Sequence, residues 1–185
     1  MKHFRVNLKP PKPQSIKEVI WSPPVLNWVK CNTDGASIGN PGISACGGLF
    51  RNANSEFLGA FAINIGLSSA LLAELIGAMV AIEVAYHKGW HSIWLETDSM
   101  LVFQAFKSSK IIPWSLKNRW DNCLHLLSSM NFFVTHIYRE GNKCADILAN
   151  VGLSIASYSW FSQAPPEINL DFVKNKLGFP NFRVS

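Results

Sequence analysis

A chain of 185 residues, 48% of them hydrophobic, is long enough for one core with tails and too short for two ordinary domains joined by a linker. A charged fraction of only 16% excludes disorder over most of its length. The net charge of +5 is uneven: residues 1–27 hold five Lys/Arg against one Glu, whereas residues 28–154 hold nine basic and nine acidic residues.

Residues 1–27 contain Pro10, Pro11, Pro13, Pro23 and Pro24 and read as an extended basic leader. Its lysines offer a weak phosphate contact or simply a solvated arm. The domain proper reads as residues 28–154. Residues 28–34, "WVKCNTD", alternate as a strand ending at Asp34. Residues 43–51 and 56–66 are two further strands, joined by the turn "NANS" into a hairpin. Residues 69–88 form a long helix, capped by Ser69 and ended by Gly89, with Leu71, Leu75, Ala78, Ile82 and Tyr86 on one face.

A short buried strand follows at 92–97, "SIWLET", then helices at 99–107 and 115–129, a strand at 132–138 and a last helix at 143–152. Three antiparallel strands before alternating units predict an α/β fold, a mixed sheet with helices packed on it. Residues 155–185, with Trp160, Phe161, Phe172, Leu177 and Phe179, form a C-terminal extension too aromatic for a free tail.

Cys31, Cys46, Cys123 and Cys144 are widely spaced with no CxxC pair, which argues against zinc. Cys31 and Cys46, in apolar strand-like settings, read as buried thiols and not bridges, in an intracellular protein, nuclear or cytoplasmic. The most apolar stretch, Ala70–Tyr86, is interrupted by Glu74 and Glu83, so no membrane span is expected, and no signal peptide is evident.

Four acidic residues occupy unusual places. Asp34 ends a strand, Asp98 directly follows one, Glu74 lies inside the most apolar helix, and Asp146 sits among apolar neighbours in "KCADILAN". Singly, Asp34 could be a turn former, Asp98 an N-cap and Asp146 a first-turn acid that suits the helix dipole. Glu74 resists such a reading. Glu83, nine residues on, is turned by roughly 180° at about 100° per residue. Glu83 can therefore face water, while Glu74 shares a stripe with Gly77, Ala78 and Ala81. A carboxylate there is costly to bury unless it is paired with a cation. Four converging oxygen donors suit a hard divalent ion, chiefly Mg²⁺, with Mn²⁺ as a substitute.

"NTDGASIGNPG", "LLAEL", "WLETDS" and "REGNKCADILAN" stand in the order of the type 1 ribonuclease H fold. Over residues 28–154 the chain resembles the ribonuclease H-like domains of plants, which also occur at the end of non-LTR retroelement polyproteins. The resemblance implies a five-stranded mixed sheet with helices on both faces. It implies endonucleolytic cleavage of the RNA strand of RNA–DNA hybrids, leaving 5′-phosphate and 3′-hydroxyl ends. It carries over Asp34, Glu74, Asp98 and Asp146 as catalytic, metal-binding carboxylates for two Mg²⁺ ions. Asp34 and Asp98 would be the shared ligands. It also implies a monomer, with a neighbouring reverse-transcriptase domain in the ancestral setting.

Departures from the family pattern matter. Many relatives carry a mobile histidine in the loop before the last aspartate; here that loop is "REGNK". Arg139 stands there as a phosphate contact, with Asn142 at the family's usual Asn position. His136 falls in the preceding strand and reads as structural. RNA 2′-hydroxyls distinguish a hybrid from a DNA duplex. Many relatives read them with Asn residues before the helix Glu, where this chain has Ala70 and Leu71. Ser37, Asn40 and Ser69 remain as candidate nucleic-acid contacts, together with Arg139 and Asn142. The alternative reading is a domesticated, weakly active or inactive nucleic-acid-binding domain of the same fold. An exonuclease of related fold is disfavoured, because "TDGAS" lacks a second acid after Asp34.

Overall fold

The computed structural model describes residues 15–184. Pro10, Pro11 and Pro13 of the leader lie outside them. The rest of the leader is built into the fold. Strand β1 (Ile16–Val19) pairs antiparallel with β8 (Asn181–Val184), joining the leader to the C-terminal extension. Trp21, just beyond β1, is 1% exposed.

The alternation of the next segment produces a meander of β2 (Val29–Gly39), β3 (Gly42–Arg51) and β4 (Phe57–Ser68). The first predicted strand is longer than its pattern indicated. It runs past Asp34 to Gly39, because Gly35, Ala36 and Ser37 continue the ladder with Cys46, Ala45 and Ser44 of β3. The turn therefore lies at residues 39–42 and not at Asp34.

Helix α1 (Ala70–His87) starts where the Ser69 hydroxyl accepts the N–H of Leu72. It ends before Gly89, whose φ of 69° takes the left-handed region that glycine enters freely. Strand β5 (Ser92–Thr97) runs parallel to β2, and β6 (Asn131–His136) parallel to β5. Between them lie α2 (Met100–Ala105) and α3 (Lys117–Leu127). After β6 come α4 (Lys143–Ser154), β7 (Tyr158–Phe161) and α5 (Asn169–Lys176).

The sheet order is β6-β5-β2-β3-β4-β7, so it holds six strands where five were expected. The sixth, β7, comes from the C-terminal extension and pairs antiparallel with β4. Ile168 of the same extension is fully buried in a cluster with Leu49, Ala60 and Leu148.

The helices cover both faces, and two glycines set how closely they approach. A Cβ on Gly35 would lie 2.5 Å from the Glu74 nitrogen of α1. A Cβ on Gly47 would collide with the Ala149 nitrogen of α4 on the other face. Among the described residues α1 is the one helix long and apolar enough to cross a membrane. Here Leu75, Ala78, Met79 and Ile82 are buried in the main core. Glu83 does not simply face water: it accepts two hydrogen bonds from Arg119 of α3, at 2.8 and 2.7 Å.

Candidate metal centre

The parallel ladder between β2 and β5 ends at Thr33 and Thr97. Asp34 and Asp98 are the next residue on each strand, so one edge of the ladder delivers both carboxylates to one place. Glu74 comes from α1, which the Gly35 contact holds against β2. Oxygens of Asp34, Glu74 and Asp98 all lie within 4.8 Å of one another.

The N-cap of α2 is Ser99, whose hydroxyl accepts the Val102 N–H. Asp98 is therefore free of the capping role. Its Oδ1 instead accepts from Asn142 Nδ2 at 2.9 Å. Asp34 Oδ1 accepts the Gly35 N–H at 2.8 Å. Glu74 Oε2 is buried and has no partner among the described residues.

These carboxylates are expensive to ionise together. Burial, and then the neighbouring Asp98 charge, pushes Asp34 up to about 7. Burial, followed by the charges of Asp34 and Asp98, pushes Glu74 up to about 10. Burial also raises Asp98, against the opposing hydrogen bond from Asn142. Without a cation, burial and mutual repulsion favour the protonated forms of these carboxylates. An orphaned buried oxygen beside two more hard oxygen donors is what a divalent cation would satisfy.

Asp146 stands apart from this trio. It lies in the first turn of α4, and its Oδ1 accepts from Arg139 Nη2 at 3.0 Å. Its charge is still felt at Asp34 and Asp98. Arg139 is exposed and lines a hollow with Glu140, Lys143 and Asp146.

The other predicted contacts divide. Asn40 is exposed in the β2–β3 turn. The Ser37 hydroxyl donates to the Gly39 carbonyl at 2.6 Å and accepts from Ser44. Ser69 is occupied in capping α1. Asn142 is turned inward: it is 1% exposed, and its amide hydrogens go to Thr33 O and Asp98 Oδ1. His136 ends β6, with its Nε2 3.0 Å from the Asp98 carbonyl oxygen.

The family model described as reverse transcriptase-like matches residues 32–152. The chain belongs to that family, and its fold is that of ribonuclease H. This ribonuclease H-like domain is 36% identical over 170 residues to an Arabidopsis thaliana protein provisionally named a ribonuclease H protein, covering 90% of the chain and 27% of that protein. It is 30% identical over 129 residues to ribonuclease HI of Halobacterium salinarum, covering 66% of the chain and 63% of that sequence. The crystal structure of RNase H1 from Halobacterium salinarum matches at a TM-score of 0.63 and 30% identity, covering 70% of this chain and 99% of that one. LC11-RNase H1, solved in complex with an RNA/DNA hybrid, matches in fold at 0.62 and 24% identity, covering 68% and 96%.

Proposed function

We propose that the chain is a Mg²⁺-dependent endonuclease that hydrolyses the RNA strand of RNA–DNA hybrids. The observation that carries this reading is the convergence of Asp34, Glu74 and Asp98 within 4.8 Å at the end of the parallel ladder of a ribonuclease H fold. Two divalent ions bound there would activate a water and stabilise the departing 3′ oxygen.

Asp34, Glu74 and Asp98 would hold the ions, and Glu74 brings a buried oxygen that no hydrogen bond occupies. Asp146 joins from the rim when it releases Arg139. The Arg139 guanidinium is then free to take a phosphate oxygen, a partner that suits its planar donors. Water attacks the scissile phosphorus, the P–O3′ bond breaks, and the products carry 5′-phosphate and 3′-hydroxyl ends. Mn²⁺ would serve in place of Mg²⁺. The four cysteines, all free and buried, support a reducing intracellular setting.

The second reading, a non-cleaving nucleic-acid-binding domain, is favoured by the Arg139–Asp146 pair, which withholds the fourth carboxylate. The test is cleavage of labelled RNA–DNA hybrid, RNA duplex and DNA duplex, with and without Mg²⁺. Mg²⁺-dependent cutting of the hybrid alone is the expected result. Binding of hybrid without cutting moves the assignment to the second reading.

A further inference from the structure

Asn32 and Glu96 each stand two residues before a site aspartate, and both are buried. The chemistry above uses neither. The Asn32 side chain spends its entire hydrogen-bonding capacity. Its Oδ1 accepts from Trp21 Nε1 at 2.8 Å and from Arg51 Nη2 at 2.7 Å. Its Nδ2 donates to Glu96 Oε2 at 3.0 Å and to Asn142 Oδ1 at 3.1 Å. Asn142 in turn donates to the Thr33 carbonyl at 3.0 Å and to Asp98 Oδ1 at 2.9 Å.

This chain of bonds has a direction. An indole N–H and a guanidinium only donate, and an ionised carboxylate only accepts. Turned over, the Asn32 amide would set its NH₂ against two donors and its oxygen against Glu96. One orientation is therefore allowed. It faces an N–H to the Asn142 oxygen, which leaves the Asn142 NH₂ to face Asp98. A reversed Asn142 would press its oxygen on the Asp98 carboxylate. The far end is well braced. Arg51 lies over the Trp21 ring at 3.5 Å, and Glu96 also accepts from Lys30 at 2.9 Å and Thr135 at 3.2 Å.

We propose that Asn32 is a positioning residue for Asp98, and that the donors of Trp21 and Arg51 set the polarity that Asn32 passes through Asn142 to that carboxylate. Trp21 thereby makes the leader part of the support of the metal site. The inference rests on reading Asp34, Glu74 and Asp98 as metal ligands.

The experiment replaces Asn32 by Leu and follows Mn²⁺ binding by calorimetry, thermal unfolding, and hybrid cleavage against Mg²⁺ and substrate concentration. Partners that orient a metal ligand typically change affinity or activity by about 10–100-fold. A loss of that size in Mn²⁺ affinity is expected, with a matching rise in the Mg²⁺ needed for half-maximal cleavage and an unchanged KM for hybrid. Trp21→Phe keeps the ring against Arg51 but loses the N–H. It gives a smaller loss of the same sign, and it decides the question if Asn32→Leu does not fold. Folded variants that bind Mn²⁺ as the wild type does overturn the inference. A wild type that binds Mn²⁺ without cutting hybrid removes the hydrolase reading alone, and the affinity comparison still decides. A wild type that binds no Mn²⁺ overturns both.

Discussion

Asp98 and Asp146 are two acidic residues of one candidate site, and the fold holds them by different means. Asp98 is anchored to Asn142, a buried amide whose own orientation is imposed from behind. Asp146 is held by Arg139, whose side chain is 72% exposed. A pair so open to water contributes only about 0–1 kcal/mol, so Asp146 can exchange partners at little cost. Asp98 cannot, because releasing it leaves buried donors unpaired. One of the two is therefore preset, and the other waits for a ligand.

Substituting each aspartate breaks the comparison most directly. Asp98→Asn is expected to lower Mg²⁺-dependent hybrid cleavage by about 10³-fold, the scale of several kcal/mol of lost charge stabilisation. The metal-free variant should melt at a higher temperature than the wild type, since one of the mutually repelling charges is gone. Undiminished cleavage would remove the proposed centre. Asp146→Asn should cost less, roughly 10–100-fold. Equal losses from the two variants would show that the rim carboxylate matters to the metals as much as the buried one does.

Acidity sharpens the same contrast. Asp34 is pushed up to about 7 and Glu74 to about 10, both above the unfolded carboxylate range of about 4. Between those limits the folded chain binds more protons than the unfolded chain, so this contribution to stability falls as pH rises. In a chelator, melting should be lower at pH 8 than at pH 5 from this cluster. Added Mg²⁺ should raise it more at pH 8, where fewer protons compete. A Mg²⁺ shift that is larger at pH 5 would contradict the preset cluster. The smallest effect is expected from His136→Ala, a change of a few-fold in rate, because its contact is with the Asp98 backbone oxygen. A loss of several orders of magnitude in a folded variant would give that histidine a chemical role.

Much of this architecture could be read from residue patterns, because the signals are local. Ser69 and Gly89 bracket α1, and alternation marks β3 and β4. The overrun of β2 was hidden, since "GASIG" carries little apolar alternation and its pairing depends on β3. The sixth strand was hidden too, because "YSWF" is only four residues and becomes a strand by docking on β4. At the site, the unusual placing of the carboxylates pointed to Asp34, Glu74, Asp98 and Asp146, of which the fold brings the first three within 4.8 Å. No spacing rule could show that Arg139 holds Asp146, or that Asn142 turns inward to Asp98. Both are contacts made in three dimensions. The leader's Pro residues suggested an extended arm, and the burial of Trp21 depended on Asn32 and Arg51 awaiting it.

The Gly35 contact has a consequence for ionic radius. The main chains that carry Asp34 and Glu74 approach closely at Gly35, where a Cβ would lie 2.5 Å from the Glu74 nitrogen and 2.9 Å from the Ala73 Cβ. A cation held here would meet two carboxylates whose main chains are packed together. Mg²⁺ binds oxygen at about 2.0–2.1 Å and Ca²⁺ at about 2.3–2.6 Å. Any adjustment to the larger ion would have to come from the Asp34 and Glu74 side chains, because the backbones that carry them already meet at Gly35.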